Sequence, residues 1–495
     1  VVTTLRAALA FALLAGFYVI VAAVVAAAVV LDYLTVSYLL AHGTEGSQGL
    51  GKAAGLVTFA AAALLRALWV VSRRRGGAQE RGVAVSAAQE PLLWQQVTEL
   101  AERVGTRAPE EIRLVAEMNA AVAEDTSLLG LRGGTRRMYI GIPLLQVLTI
   151  GELRAVLGHE LGHYSGAHLR LGAPVYRGRT AIVGTIEELH KHPILRWILN
   201  WYFKLFLRIS LAVARRQEYE ADAFAVAISG RAASGGALTA TAEAGRAWDL
   251  FMDSYTELVG PAHGRPADLF GGFDALRADP IRRRELAALG DGERSPYDSH
   301  PRLPERLAAI AVLPEPVAVA GSSAADDASP ATTVLRDFEA TSRAVADSLW
   351  SEQVLGWPEL SWDEMVARAM PVLAAGDAMP DLAVAGQRVL GLDEPGLDGA
   401  LEAILRGRTA ELHAELVRLN WRPTPDLVAE VLAEALQSAL VERGLARWRL
   451  SWSGPADLVD AHGEPVRPLD RAKAVLADPE REVPALRALL ASTPA

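Results

Sequence analysis

Hydrophobic and polar positions divide this chain into three stretches of different character. From Leu5 to Leu31 the only charged residue is Arg6. That run is long enough to cross the ~30 Å hydrocarbon core of a bilayer and too long for a signal-peptide core, so it predicts a retained transmembrane helix. A second apolar run, Ala53 to Val71, contains Arg66 and is followed by Arg73, Arg74 and Arg75. Arg66 can snorkel toward that cluster, and a second span is predicted. In the middle stretch, Thr149 and Glu152 make a TxxE capping box ahead of the apolar stripe Leu153, Val156 and Leu157, which predicts a helix starting near 150. Between Pro193 and Ala214, Ile194, Leu195, Trp197, Ile198, Trp201, Phe203, Leu205 and Phe206 oppose an arc holding Arg196, Lys204 and Arg208. This predicts an interfacial amphipathic helix near 193–214, with a re-entrant hairpin as the alternative.

Glu315 to Thr333 is rich in Ala, Ser, Pro and Asp without periodicity and reads as a linker. The last stretch reads as folded and mainly helical. Ser361 and Glu364 form another capping box, Thr424-Pro425 opens a helix, and Trp448, Leu450 and Trp452 alternate with Arg447, Arg449 and Ser451 as in a short strand. The fold class expected is mainly α with a small β-sheet (α+β).

Composition sharpens this picture in three respects. The 495 residues suffice for two or three domains, and 51% are hydrophobic, with the excess concentrated at the N-terminus. A net charge of −10 argues against a nucleic-acid partner. The absence of cysteine fits a reducing compartment and excludes thiolate metal ligands and disulfides.

The helix predicted at 150 carries Leu157-Gly-His-Glu-Leu-Gly-His163, an HExxH motif. Positions four apart lie on one helical face, so His159 and His163 can grip one metal ion, while Glu160, about 100° round, can reach a water held there. This is the pattern of a zinc hydrolase with two imidazole ligands and a base. A catalytic zinc needs a third protein ligand. His168 lies one residue out of register for the extended HExxHxxGxxH motif, and His190 and His192 precede Pro193 at a helix boundary. The stronger candidate region is Arg215 to Ala225, where Glu218 and Asp222 share a face among small alanines; as surface acids they would simply pair with nearby arginines.

Three separated motifs now resemble the membrane-associated gluzincins that include HtpX-like heat-shock proteases and CAAX prenyl endopeptidases. They are HExxH at 159–163, Glu218-Tyr-Glu-Ala-Asp222, and Ser299-His-Pro-Arg-Leu-Pro-Glu-Arg306. An apparent strand from Ile112, then Met118-Asn-Ala-Ala121, then Arg137-Met-Tyr-Ile-Gly141, is similar to the same family. The resemblance implies a zincin-like domain holding one Zn²⁺ per chain, with Glu218 as third ligand and Asp222 orienting a ligating histidine. It also implies peptide-bond hydrolysis with Glu160 as base. Asn119 and Ala120 are read as part of an edge strand that pairs with substrate backbone. His300 and Arg306 carry two readings, stabilisation of a developing oxyanion or bracing of the site.

The expected organisation is therefore a two-span membrane anchor over 1–75, a zinc metallopeptidase domain over 76–313, a linker over 314–333 and a mainly helical accessory domain over 334–495. Arg6 and the 73–75 cluster flank the spans on one side, which puts the catalytic domain of this multi-pass protein in the cytoplasm. A single crossing by 193–214 would separate His159 and His163 from Glu218, which favours the interfacial reading. The partners expected are protein or peptide substrates, membrane proteins first, and the lipid bilayer. Membrane protein quality control is the first functional expectation. The alternatives are CAAX-type processing and a catalytically silent scaffold with a structural zinc, against which the intact Glu160 weighs.

Overall fold

The computed structural model describes residues 2–42, 48–74, 81–127, 132–164, 182, 185–186, 193–289, 301–315, 324–374, 376–454 and 456–492. It is mainly helical with small sheets, and the chain divides into two compact units, Val1–Gly245 with Leu289–Leu349, and Arg246–Ala288 with Trp350–Ala495.

The first unit begins with two antiparallel-patterned apolar helices, α1 (Val2–His42) and α2 (Gln48–Arg74). Within them Ala12–His42 and Gly49–Val70 are long and apolar enough to cross a membrane. The Thr58 hydroxyl of α2 donates to the Asp32 carboxylate of α1 at 2.8 Å. Strand β1 (Val83–Val85) and helix α3 (Pro91–Val104) follow, then β2 (Glu111–Val115), β3 (Ala120–Ser127) and β4 (Arg132–Gly141). The sheet order is β1-β2-β4-β3, with β2 parallel and β3 antiparallel to β4, so among the described residues β3 is the edge strand on that side. After the short α4 (Ile142–Val147) comes α5 (Ile150–Gly162), whose capping box forms as the spacing predicts: the Glu152 N–H donates to Thr149 Oγ1 at 3.3 Å and the Thr149 N–H to Glu152 Oε2 at 2.9 Å.

Helix α6 runs from Pro193 to Tyr255, 63 residues with a kink at Gly230, where φ is 82°. The stretch expected as an interfacial amphipathic helix near 193–214 forms the start of this longer helix. Its Leu199 and Phe206 pack with Leu14, Phe17, Val21, Leu64 and Ala67 of α1 and α2, together with Ile182 and Ile186. Trp197 (70% exposed), Trp201 (66%), Ile198 and Leu205 face away from that cluster. The apolar surface is thus two-sided, which the arc of basic residues concealed. Because α6 is continuous, Trp201 and Glu218 are tied rigidly about 25 Å apart along its axis.

Helices α5 and α6 approach closely because the facing residues of α5 are small. A Cβ on Gly158 would lie 2.7 Å from Ile228 Cδ1, and one on Gly162 would lie 3.0 Å from Phe224 Cδ2. Helix α7 (Leu303–Ala311) is pinned to the kink of α6, since Arg231 donates to Ala311 O at 2.9 Å and to Glu315 Oε1 at 2.7 Å.

The linker expected over 314–333 is in part a strap on α5. Ile150 N–H donates to Ser329 O at 2.8 Å, Arg154 pairs with Asp327 at 2.5 Å, and Thr149 bridges to Pro330. Farther on, the Arg336 N–H donates at 2.7 Å to the buried Glu90. Polar composition reads as a linker, but these groups find partners within the first unit. The division between units accordingly falls after Leu349 rather than at 334, and residues 246–288 belong to the second unit.

In that unit Trp248, Phe251, Tyr255, Phe270, Phe273, Trp362 and Trp452 form one aromatic cluster. A second core unites helices 378–390, 397–405, 409–418, 427–442, 468–477 and 479–491. The Ser361–Glu364 capping box forms. The helix expected at Thr424 starts at Leu427, and the alternating strand is Ala446–Arg449, paired with Asp457–Asp460.

Candidate metal centre

His159 on the last turn of α5 and His163 at its C-cap stand one turn apart, and Glu218 projects from α6, the helix that the small face of α5 admits. The three offer ligand atoms all within 4.8 Å of one another, and among the described residues this is the one group of histidines and acids so arranged. His159 Nε2 and His163 Nε2 are 3.2 Å apart; Glu218 Oε2 lies 3.6 Å from His159 Nε2, and Glu218 Oε1 lies 3.8 Å from His163 Nε2. Tetrahedral zinc with bonds of about 2.0–2.1 Å separates its ligand atoms by roughly 3.3–3.4 Å, so the spacing and the donor set both fit zinc.

Behind the three candidate ligands a charged relay fixes one ring. Asp222, 2% exposed, holds Oδ1 3.1 Å from His159 Nδ1. In the neutral ring that a metal would require, a proton on Nδ1 shared with that carboxylate would leave the Nε2 lone pair toward the centre. Arg306 of α7 clasps the same carboxylate with both arms, Nε to Oδ2 at 2.9 Å and Nη2 to Oδ1 at 2.5 Å, and its Nη1 is 3.7 Å from Glu218 Oε2. Burial opposes a charge on Asp222, yet the hydrogen bonds from Arg306 and His159 outweigh it and hold the carboxyl below its usual range. Burial likewise opposes a charge on His159, but Asp222 and Glu218 hold its proton up to about 9. Glu160, half-exposed between the two histidines, adds negative potential to the same ring.

Ala120 opens the edge strand β3, and Asn119 just before it accepts from the Gly141 N–H at 2.9 Å. His300 lies outside the described residues, as do His168, His190 and His192. Arg306, one of the two residues left between oxyanion and bracing roles, has its guanidinium on Asp222. Sequence reading did not single out Tyr164, whose hydroxyl reaches Val122 O at 2.6 Å, or the strap partners Arg154 and Asp327. No periodicity signals such contacts, because each side chain reaches across a long sequence gap.

The comparisons with known proteins fall on this part of the chain. Over 111 residues it is 29% identical to Metalloprotease LoiP of Escherichia coli (strain K12), covering 20% of this chain and 39% of that protein. Over 83 residues it is 34% identical to Protease HtpX homolog 1 of Sulfurisphaera tokodaii, covering 17% of this chain and 25% of that protein. The chain thus matches well under half the length of either relative. No solved structure matches it. Residues 87–313, which carry the HExxH helix, Glu218, Asp222 and Arg306, match the model of Peptidase family M48, and this segment is a Peptidase family M48 domain.

Proposed function

We propose that this protein is a membrane-associated zinc metalloendopeptidase that cuts extended segments of protein substrates, membrane proteins among them. The observation that carries the reading is the convergence of His159, His163 and Glu218 with Glu160 set between the two imidazoles. When bound, zinc supplies a Lewis acid that polarises the scissile carbonyl and lowers the pKa of water. Glu160 accepts the proton of the attacking water and passes it to the leaving nitrogen. Asp222 holds the His159 tautomer, and Arg306 holds Asp222. The edge strand at Asn119 and Ala120 aligns substrate backbone by strand addition, which gives tolerance of sequence.

The purified protein, in detergent, should degrade casein, lose that activity on treatment with a chelator and regain it with about one zinc per chain. Because His159 keeps its proton up to about 9 and a ligand must be neutral, zinc uptake at pH 7 should release protons and weaken as the pH falls. Casein cleavage that persists in metal-stripped protein would refute the reading.

Lipid proximity supports membrane substrates. Helix α6 packs on the two apolar helices at one end and carries Glu218 about 25 Å farther along. The basic residues flanking those helices support a cytoplasmic catalytic domain and quality control as the task. Reporter fusions after Arg75 and after Leu313 should both report the cytoplasm. Opposite signals from the two sites would exclude an even number of crossings between them.

A further inference from the structure

The register of β3 sets which of its groups face the free edge. Asn119 C=O bonds to the Gly141 N–H, and Ala120, Ala121 and Val122 lie opposite Ile140, Tyr139 and Met138. In the antiparallel alternation Ala121 therefore turns its N–H and C=O to β4, while Ala120 and Val122 turn theirs outward. One outward group already has a donor: the Tyr164 hydroxyl bonds to Val122 O at 2.6 Å.

Tyr164 follows the ligand His163 directly, and it is held on several sides. Its own C=O accepts from Thr106 Oγ1 at 2.9 Å, and the buried Arg136 guanidinium lies 4.8 Å over its ring. That guanidinium is itself fixed by Thr106 Oγ1 at 3.0 Å, Arg107 O at 2.6 Å and Glu124 Oε2 at 3.4 Å. Just beyond Glu124 the pairing of β3 with β4 slips, before Thr126. The regular edge is therefore short, and its far end is closed by a clamped phenol.

We infer that Tyr164 is a specificity-determining stop on the strand-pairing edge: an extended substrate pairs with the N–H and C=O of Ala120 and the N–H of Val122, and no further amide can bond at Val122 C=O. The inference rests on the peptidase reading of β3. It makes the enzyme selective for the number of extended residues at one end of the scissile bond, with little regard for their side chains.

The test uses the full-length protein and a peptide series lengthened one residue at a time at either end of a single cleavage site. In wild type KM should stop falling once the substrate reaches Val122. In Tyr164→Phe, which keeps the ring beneath Arg136, one further residue at one end should lower KM about fivefold relative to the peptide that just reaches Val122, as a single gained hydrogen bond does. N-methylation of that residue's amide should remove the gain. Zinc content and melting temperature, measured alongside, exclude a folding defect. Identical length dependence in the two enzymes would overturn the inference while leaving the peptidase reading intact. Should the variant fold poorly, an N-methyl scan on wild type decides: the amide beyond the Val122 N–H should be indifferent, and a several-fold rise in KM there would show that Val122 C=O binds substrate. Absence of cleavage by wild type with zinc bound would sink the peptidase reading and this inference with it.

Discussion

Glu160→Gln should retain about one zinc per chain and lose proteolysis by roughly 10²-fold or more, because it deletes the proton carrier and leaves all three ligands in place. The amide has nearly the shape of the carboxylate, and Glu160 is half-exposed, so no buried charge is left without a partner and stability should hardly change. Metal analysis, casein degradation and thermal unfolding on the same preparation check all three statements. A variant with full zinc that still cleaves at the wild-type rate would remove Glu160 from the mechanism. The same experiment addresses the silent-scaffold alternative, since a structural zinc would tolerate the change with no measurable consequence in any of the three assays.

The candidate centre was legible in the sequence wherever its logic is local. The α5 capping box, the i,i+4 histidines and the i,i+4 pair Glu218 and Asp222 are all set by helical periodicity within one or two turns. Which acid faces the histidines was not local. It depends on α5 and α6 meeting along Gly158, Gly162, Phe224 and Ile228, and only the family resemblance pointed to Glu218. The strands leading into α5 were readable from Ile112 to Gly141, but the order β1-β2-β4-β3, which puts β3 at the edge among the described strands, is a tertiary fact. At 193–214 the pattern showed an apolar helix but not the partners of its buried side. Leu199 and Phe206 are buried because α1 and α2 supply a surface, and a helical wheel drawn on one segment cannot include its neighbours. The strap failed for the opposite reason. Asp327 and Ser329 carry no hydrophobic signal, and their order comes from hydrogen bonds to the first turn of α5.

Removing Glu218 and removing Arg306 should separate a ligand from the residue that positions a ligand. Glu218→Ala leaves two imidazoles, one fewer protein ligand than a catalytic zinc requires, so zinc should be lost on dialysis and activity with it. Arg306→Ala keeps all three ligand atoms but takes the two-armed donor from Asp222. With Arg306 gone, Asp222 loses the donors that orient it and offset its burial, so the ring of His159 is less firmly held. Loss of such a supporting group typically costs 10–100-fold in metal affinity or activity. Breaking a buried ion pair also costs stability, on the order of 3 kcal/mol. The sign of the pH effect follows from Asp222. Its pKa is depressed in the folded protein, so the pair contributes stability above the ordinary carboxylate range and that contribution fades as the pH falls through it. Wild type should therefore lose its advantage over Arg306→Ala in strongly acid solution. Arg306→Lys should recover the charge and only part of the zinc affinity, because an ammonium cannot bond both oxygens in the planar fork seen at 2.9 and 2.5 Å. Zinc titration decides between bracing and oxyanion stabilisation. A donor to the developing oxyanion would lower kcat with zinc affinity unchanged, whereas a brace weakens zinc binding first. The guanidinium spends both inward arms on Asp222, so the expected result is weakened zinc affinity in Arg306→Ala, with kcat largely restored when zinc is raised to saturation.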